Sequence, residues 1–176
     1  MNPLTPLYPL IHPTRLLINA VLLASLWGVH TVQAQARFNY SANGSEVTDS
    51  KTSLTWRRCS EGQRWNAGTC SGTAALYNND QARELAQSQA GWRLPSVKEL
   101  ASLIDPGRKS PSIDLTAFPA TPSNMFWTSS PTAHNWFWAS ASSQRDVPGA
   151  WGVNFYTGKL HDEVQYHQLL HVRLVR

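Results

Sequence analysis

Gly91-Trp92-Arg93-Leu94-Pro95-Ser96-Val97-Lys98-Glu99-Leu100-Ala101-Ser102-Leu103-Ile104-Asp105 is the stretch whose reading decides the fold. Pro95 stops whatever precedes it, and Ser96 with Glu99 forms an S-x-x-E capping box, a helix-start signal. Val97, Leu100, Leu103 and Ile104 then share one helical face. The block therefore predicts a short helix that buries one stripe. Trp92 and Leu94 are expected to bury and Arg93 to pair near the helix start, a structural role that accounts for the block without a ligand.

Working back from this block, a first helix is expected after Asn78, Asn79 or Asp80, any of which can cap it. Ala82, Leu85, Ala86 and Gln89 form its stripe, and Gly91 is its expected stop. Further back, Val47 and Leu54 to Trp56 predict short strands about a polar turn at Asp49 to Thr52. Asn43-Gly44 is another turn, and Gly62 with Asn66-Ala67-Gly68 predicts the tip of a hairpin. Forward of the block, Pro106 to Pro122 is rich in Pro, Ser and Thr and predicts an irregular surface crossing. Met125 to Ser129, Trp136 to Ala141 and Ala150 to Phe155 follow as short aromatic or alternating runs, with Thr157-Gly158 as a turn. The closing His171 to Arg176 places Val172 and Leu174 on one face of a terminal strand. Two helices early and several short antiparallel strands late define an α+β domain. No internal repeat and no Gly-X-Y tract is present.

The first residues carry Arg15 and no acid, then an uncharged apolar run from Leu16 to Val29, then Ala34-Gln35-Ala36. This is the layout of a secretory signal peptide, cleaved after Ala36 or alternatively after Ala34. An uncleaved anchor is the competing reading, but the run falls short of the roughly 20 apolar residues of a spanning helix. The expected organisation is a signal peptide over residues 1–36 and one exported domain over residues 37–176. Without Arg15, 14 of the 15 Lys and Arg face 11 Asp and Glu, a net of +3. That suits an acidic partner without requiring one, and nothing points to nucleic acid.

The chain has two cysteines, Cys59 and Cys70. An even count in an exported chain predicts a disulfide, worth roughly 2–4 kcal/mol in the chain-entropy model. A zinc site is the rival, disfavoured by the lack of a His pair at finger spacing. Arg57, Arg58 and Arg64 lie in or beside the loop, and their planar forks suit a sulfated or carboxylated glycan. The alternative is scattered solvated charge, with Glu61 in the same loop. Phe126, Trp127, Trp136, Trp138 and Trp151 either stack sugars or fill the core; core is favoured for most. Trp136 and Trp138, two apart, point the same way and remain tentative ligand contacts. His167 and His171 share a face only on a helix, and His171 opens a strand, so no metal or other cofactor is expected. No nucleophile elbow or phosphate loop is present, and no catalytic residue is assigned.

Several blocks together resemble the Lcl C-terminal domain family, named for a bacterial collagen-like adhesin. They are Leu54-Thr55-Trp56-Arg57-Arg58-Cys59-Ser60 with Gly62-Gln63 and Trp65, then Thr69-Cys70 with Gly72 and Ala74. The Gly91 to Asp105 stretch, Phe118-Pro119 with Thr121-Pro122, Phe126 to Pro131, and Val172 to Arg176 follow in order. The resemblance implies an irregular C-type-lectin-like or formylglycine-generating-enzyme-like domain at the cell surface, with Cys59 and Cys70 at the family's disulfide positions. It implies adhesion to sulfated polysaccharide and a trimer, although this chain lacks the collagen stalk. The expected function is non-catalytic binding of an anionic glycan or a surface protein. The alternatives are a structural or protein-interaction subunit of a surface appendage and, less favoured, an enzyme on the formylglycine-generating-enzyme-like fold.

Overall fold

A computed structural model describes residues 36–132 and 149–176, so the leader segment, Trp136 and Trp138 lie outside the described residues. The chain opens with an antiparallel meander of β1 (Phe38–Tyr40), β2 (Glu46–Asp49) and β3 (Leu54–Arg57). Val47 pairs with Trp56 across β2 and β3, and both are fully buried. Asp49 also points inward. Arg37 makes that tolerable, donating from Nε and Nη2 to its carboxylate at 3.1 and 2.6 Å.

A two-stranded hairpin follows, β4 (Arg64–Asn66) and β5 (Thr69–Ser71), as the turn residues predicted. Ala67 and Gly68 both take positive φ, 43° and 102°, as a two-residue hairpin turn requires. Cys59 and Cys70 are bonded, with Cα atoms 5.4 Å apart. Gly62 is the close-packed point of the ring, since a Cβ there would sit 2.5 Å from the Ala75 nitrogen.

Helix α1 (Asn79–Gln87) is capped by Asn78, which exchanges hydrogen bonds with Gln81. It buries Ala82 and Ala86 and ends on Ser88, so Gly91 lies beyond the helix and turns the chain into Trp92. Helix α2 (Val97–Ala101) begins at the predicted box: Ser96 Oγ accepts from Glu99 N at 3.3 Å and Glu99 Oε2 accepts from Ser96 N at 2.7 Å. The helix is shorter than its apolar stripe, and Leu103 and Ile104 continue the stripe from a turn.

The crossing from Pro106 to Pro122 is irregular, as expected, but it is not confined to the surface. Ile113, Ala117 and Phe118 are fully buried in it. Side-chain bonds add to a few isolated backbone ones: Ser112 N and Oγ both donate to Phe155 O, and Asp114 Oδ1 accepts from Thr116 N. A second antiparallel sheet is built from β6 (Met125–Pro131), β7 (Gly149–Asn154) and β8 (Lys159–Gln165) in that order. The small antiparallel sheets, two short helices and one disulfide make this an α+β domain.

His171 to Arg176 is expected as a terminal strand with Val172 and Leu174 on its buried face, and the structure buries both faces of the segment from Leu170 to Val175. Leu170, Val172 and Leu174 enter a cluster with Ala82, Ala86, Leu94, Trp127 and Val164. Val175 enters the other cluster, with Trp56, Leu100, Phe118, Phe126 and Phe155. His171 and Arg173 point to that same side. The segment joins no long ladder; it bridges Tyr77, Arg93, Trp56 on β3 and Phe126 on β6 in turn.

Candidate ligand-binding face around the disulfide loop

Arg57, Arg58 and Arg64, neighbours in sequence, go to three different places. Arg57 sits at the end of β3, donates to Glu61 Oε1 at 3.0 Å and lies over the Trp92 ring at 4.8 Å. Arg58 turns inward and is 7% exposed. Its Nε, Nη1 and Nη2 donate to the carbonyls of Ala117, Gly44 and Thr116 at 2.8, 2.7 and 2.7 Å. Burial holds its pKa below the ordinary arginine value. Its guanidinium lies 4.1 Å from the Trp65 ring centre and 4.5 Å from that of Tyr40. Arg64 is exposed and, among the described residues, has no ion pair. It precedes Trp65 on β4, so the two side chains leave opposite faces of the hairpin.

Two guanidinium–aromatic stacks result. In the first, Arg57 and the C-terminal Arg176 both lie on Trp92, at 4.8 and 4.7 Å. Each also holds a carboxylate, Arg57 with Glu61 and Arg176 with Glu46 at 2.7 Å. The Arg57 and Arg176 side chains keep 31% and 48% of their surface in solvent, so this stack is accessible. The second stack places Arg58 against Tyr40 and Trp65. Trp65 is further fixed by its Nε1 donating to Asn43 O at 2.9 Å, and Tyr40 is 47% exposed.

Arg93 plays the structural part expected of it, donating to both Glu99 oxygens at 2.8 and 2.7 Å. That bond, with those from Ser96, outweighs burial and lowers the Glu99 pKa to about 2. Leu94 buries as expected, whereas Trp92 is only half-buried, packed against the Leu94–Leu174 cluster with Arg57 and Arg176 lying on its ring. Phe126 and Trp127 are core residues at 0% exposure, and Trp151 is half-buried. The tentative contacts Trp136 and Trp138 lie outside the described residues.

Among the described residues, no group of three or more His, Cys, Asp and Glu side chains is placed to hold a metal ion. His171 is buried on the terminal segment, its Nδ1 3.0 Å from Ala75 O, and burial lowers its pKa. No helix among the described residues is long and apolar enough to cross a membrane.

Trp92 as a cation platform, Tyr40 and Arg176 were not legible as site residues in the sequence. Trp92 and Arg176 are far apart in the chain, and only the seating of the terminal segment beside β3 brings them together. Thr55 and Arg176 exchange backbone hydrogen bonds at 2.9 Å in both directions.

A small disulfide-closed α+β domain with arginine–aromatic stacks on its surface is thus the class of protein that fold and site define. The chain belongs to the Lcl C-terminal domain family, whose pattern matches residues 45–176. No curated protein matches it.

Proposed function

We propose that the protein is an exported, non-catalytic binding domain of lectin-like fold, and that its ligand is an anionic glycan at the cell surface. The carrying observation is the convergence of Arg57 and Arg176 on the half-exposed indole of Trp92. An aromatic face flanked by oriented planar forks suits a sugar ring bearing a sulfate or carboxylate. Glu46 and Glu61 hold the forks in place, and an anionic ligand would share them. Arg64, exposed on the hairpin, adds a cation at longer range.

Export is supported by the leader pattern and by the disulfide, which persists in oxidising compartments. The non-catalytic reading is supported by the bonding of both sulfurs, which leaves no cysteine free for thiol chemistry. The protein lacking residues 1–36 should be retained on a heparin-like column at low salt and elute at moderate salt, because such contacts are screened. Arg57→Gln with Arg176→Gln should elute earlier at an unchanged melting temperature. Flow-through of the parent protein at low salt would sink the anionic-glycan reading.

A protein-interaction role in a surface appendage has one observation in its favour. Leu76 and Leu169, beside the Tyr77–Leu170 bridge, are 47% and 59% exposed. Co-purification of a stoichiometric protein partner, lost on Leu76→Ser with Leu169→Ser, would select that reading.

A further inference from the structure

Arg173 is fully buried, and among the described residues no carboxylate pairs with its guanidinium. Nη1 donates to Arg57 O at 2.8 Å and also to Arg58 O; Nη2 donates to Ser60 Oγ at 3.2 Å and Thr121 Oγ1 at 2.7 Å. Phe118 and Phe126 cover the group at 4.8 and 5.8 Å, and its Nε has no partner among the described residues. Burial pushes its pKa down to about 9, against the opposing charge of Glu61. A cation in such a site is tolerable only while its neutral acceptors are held in position.

Three of those four acceptors belong to residues within two positions of Cys59. The same stretch takes the terminal segment's backbone as well: Arg57 N donates to Leu174 O at 3.1 Å and Glu61 N to Val172 O at 2.9 Å. Cys59 is tied through Cys70 to β5, so the disulfide restrains the segment that receives Arg173. The terminal segment in turn bridges β3, Arg93 and β6.

We infer that the Cys59–Cys70 bond is a redox-dependent latch: oxidation fixes the acceptor set, Arg173 enters it, and residues 170–176 seat between the two cores. Closing the latch removes two electrons and two protons from the thiols by exchange with a disulfide-bearing carrier, which leaves as a dithiol. Where thiols stay reduced, the acceptors loosen, the charge loses its site and the terminal segment opens locally. Because Arg176 rides on that segment, the Trp92 stack opens with it.

Hydrogen exchange on the intact and the reduced protein tests this without any ligand. Reduction should accelerate exchange at the bonded amides of His171, Val175 and Arg176, and at the amides of Arg57, Glu61 and Arg93 that donate to the segment, by about tenfold or more. The β7–β8 ladder at Val153 and Leu160 should stay protected. Arg173→Met should uncouple the two, so that reduction changes terminal-segment exchange by less than about threefold in that variant. Unchanged exchange at His171, Val175 and Arg176 on reduction, or equal acceleration at Val153 and Leu160, overturns the latch. So does a full effect of reduction in Arg173→Met. The wild-type pair decides the question alone if the variant does not fold.

Discussion

The ring closed by Cys59 and Cys70 has two sides, and they use the same residue type differently. On the inner side, Arg58 is held by three carbonyls and the backbone from Arg57 to Glu61 receives Arg173. On the outer side, Arg64 extends into solvent from the hairpin face opposite Trp65. Burial, not residue identity, separates a cation that organises the fold from one available to a partner. A charge withdrawn from water must find every acceptor in place, whereas an exposed one costs almost nothing and contributes almost nothing to stability.

The comparison is tested most severely at Arg173. Arg173→Ala removes the buried donor from Ser60 Oγ, Thr121 Oγ1 and the Arg57 and Arg58 carbonyls and opens space beside Phe118 and Phe126, so it should lose about 3–5 kcal/mol of stability by denaturant melting. A loss under about 1 kcal/mol would mean that water takes over the acceptors and the inner side is not specially organised. Next in size, Cys59→Ser with Cys70→Ser should cost roughly 2–4 kcal/mol. Mass spectrometry of unreduced peptides from exported protein should find the pair bonded.

Away from the ring, Ser96→Ala should cost roughly 0.5–2 kcal/mol, since it removes the cap of α2. A zero effect would place the helix start elsewhere. The same box predicts an acid sensitivity. Glu99 has a folded pKa of about 2 against an ordinary 4.5, so its contribution is complete above pH 4.5 and is lost as pH falls toward 2. Glu99→Gln should flatten the stability profile in that window; a parallel profile would put the titration on another group.

The smallest effect is expected on the outer side. Arg64→Glu should change stability by less than about 0.5 kcal/mol, as surface substitutions do. It should nevertheless elute earlier from a heparin-like column. Unshifted elution would confine recognition to Trp92 and its two arginines.

Local signals were legible wherever neighbours in sequence make the structure. The Ser96–Glu99 capping box, the hairpin turn at Ala67-Gly68, the β2–β3 turn and the disulfide were readable, because each depends on side chains a few residues from the backbone they serve or, for the disulfide, on there being only two cysteines; the cap of the first helix was narrowed to Asn78, Asn79 or Asp80, and the structure selects Asn78. The core within Pro106 to Pro122 was not readable. Ile113, Ala117 and Phe118 follow no helix or strand period, and isolated backbone and side-chain hydrogen bonds hold the segment where a regular ladder would leave a pattern. The candidate face was less readable still. Arg57, Arg58 and Arg64 look like one basic patch in the chain, and a strand end, an inward turn and a hairpin send them apart.

By itself the sequence determined the family, the α+β class, the start of the second helix and the covalent ring, since each rests on local chemistry or on ordered blocks. Only the tertiary structure decided which arginines face solvent and which are buried, and that Trp92 carries two of them. Those outcomes depend on the terminal segment lying between two cores, with Leu170, Val172 and Leu174 on one side and His171, Arg173 and Val175 on the other. Side-chain alternation can be read from a strand's sequence; that water is excluded from both of its faces cannot, because that is a property of what packs against it.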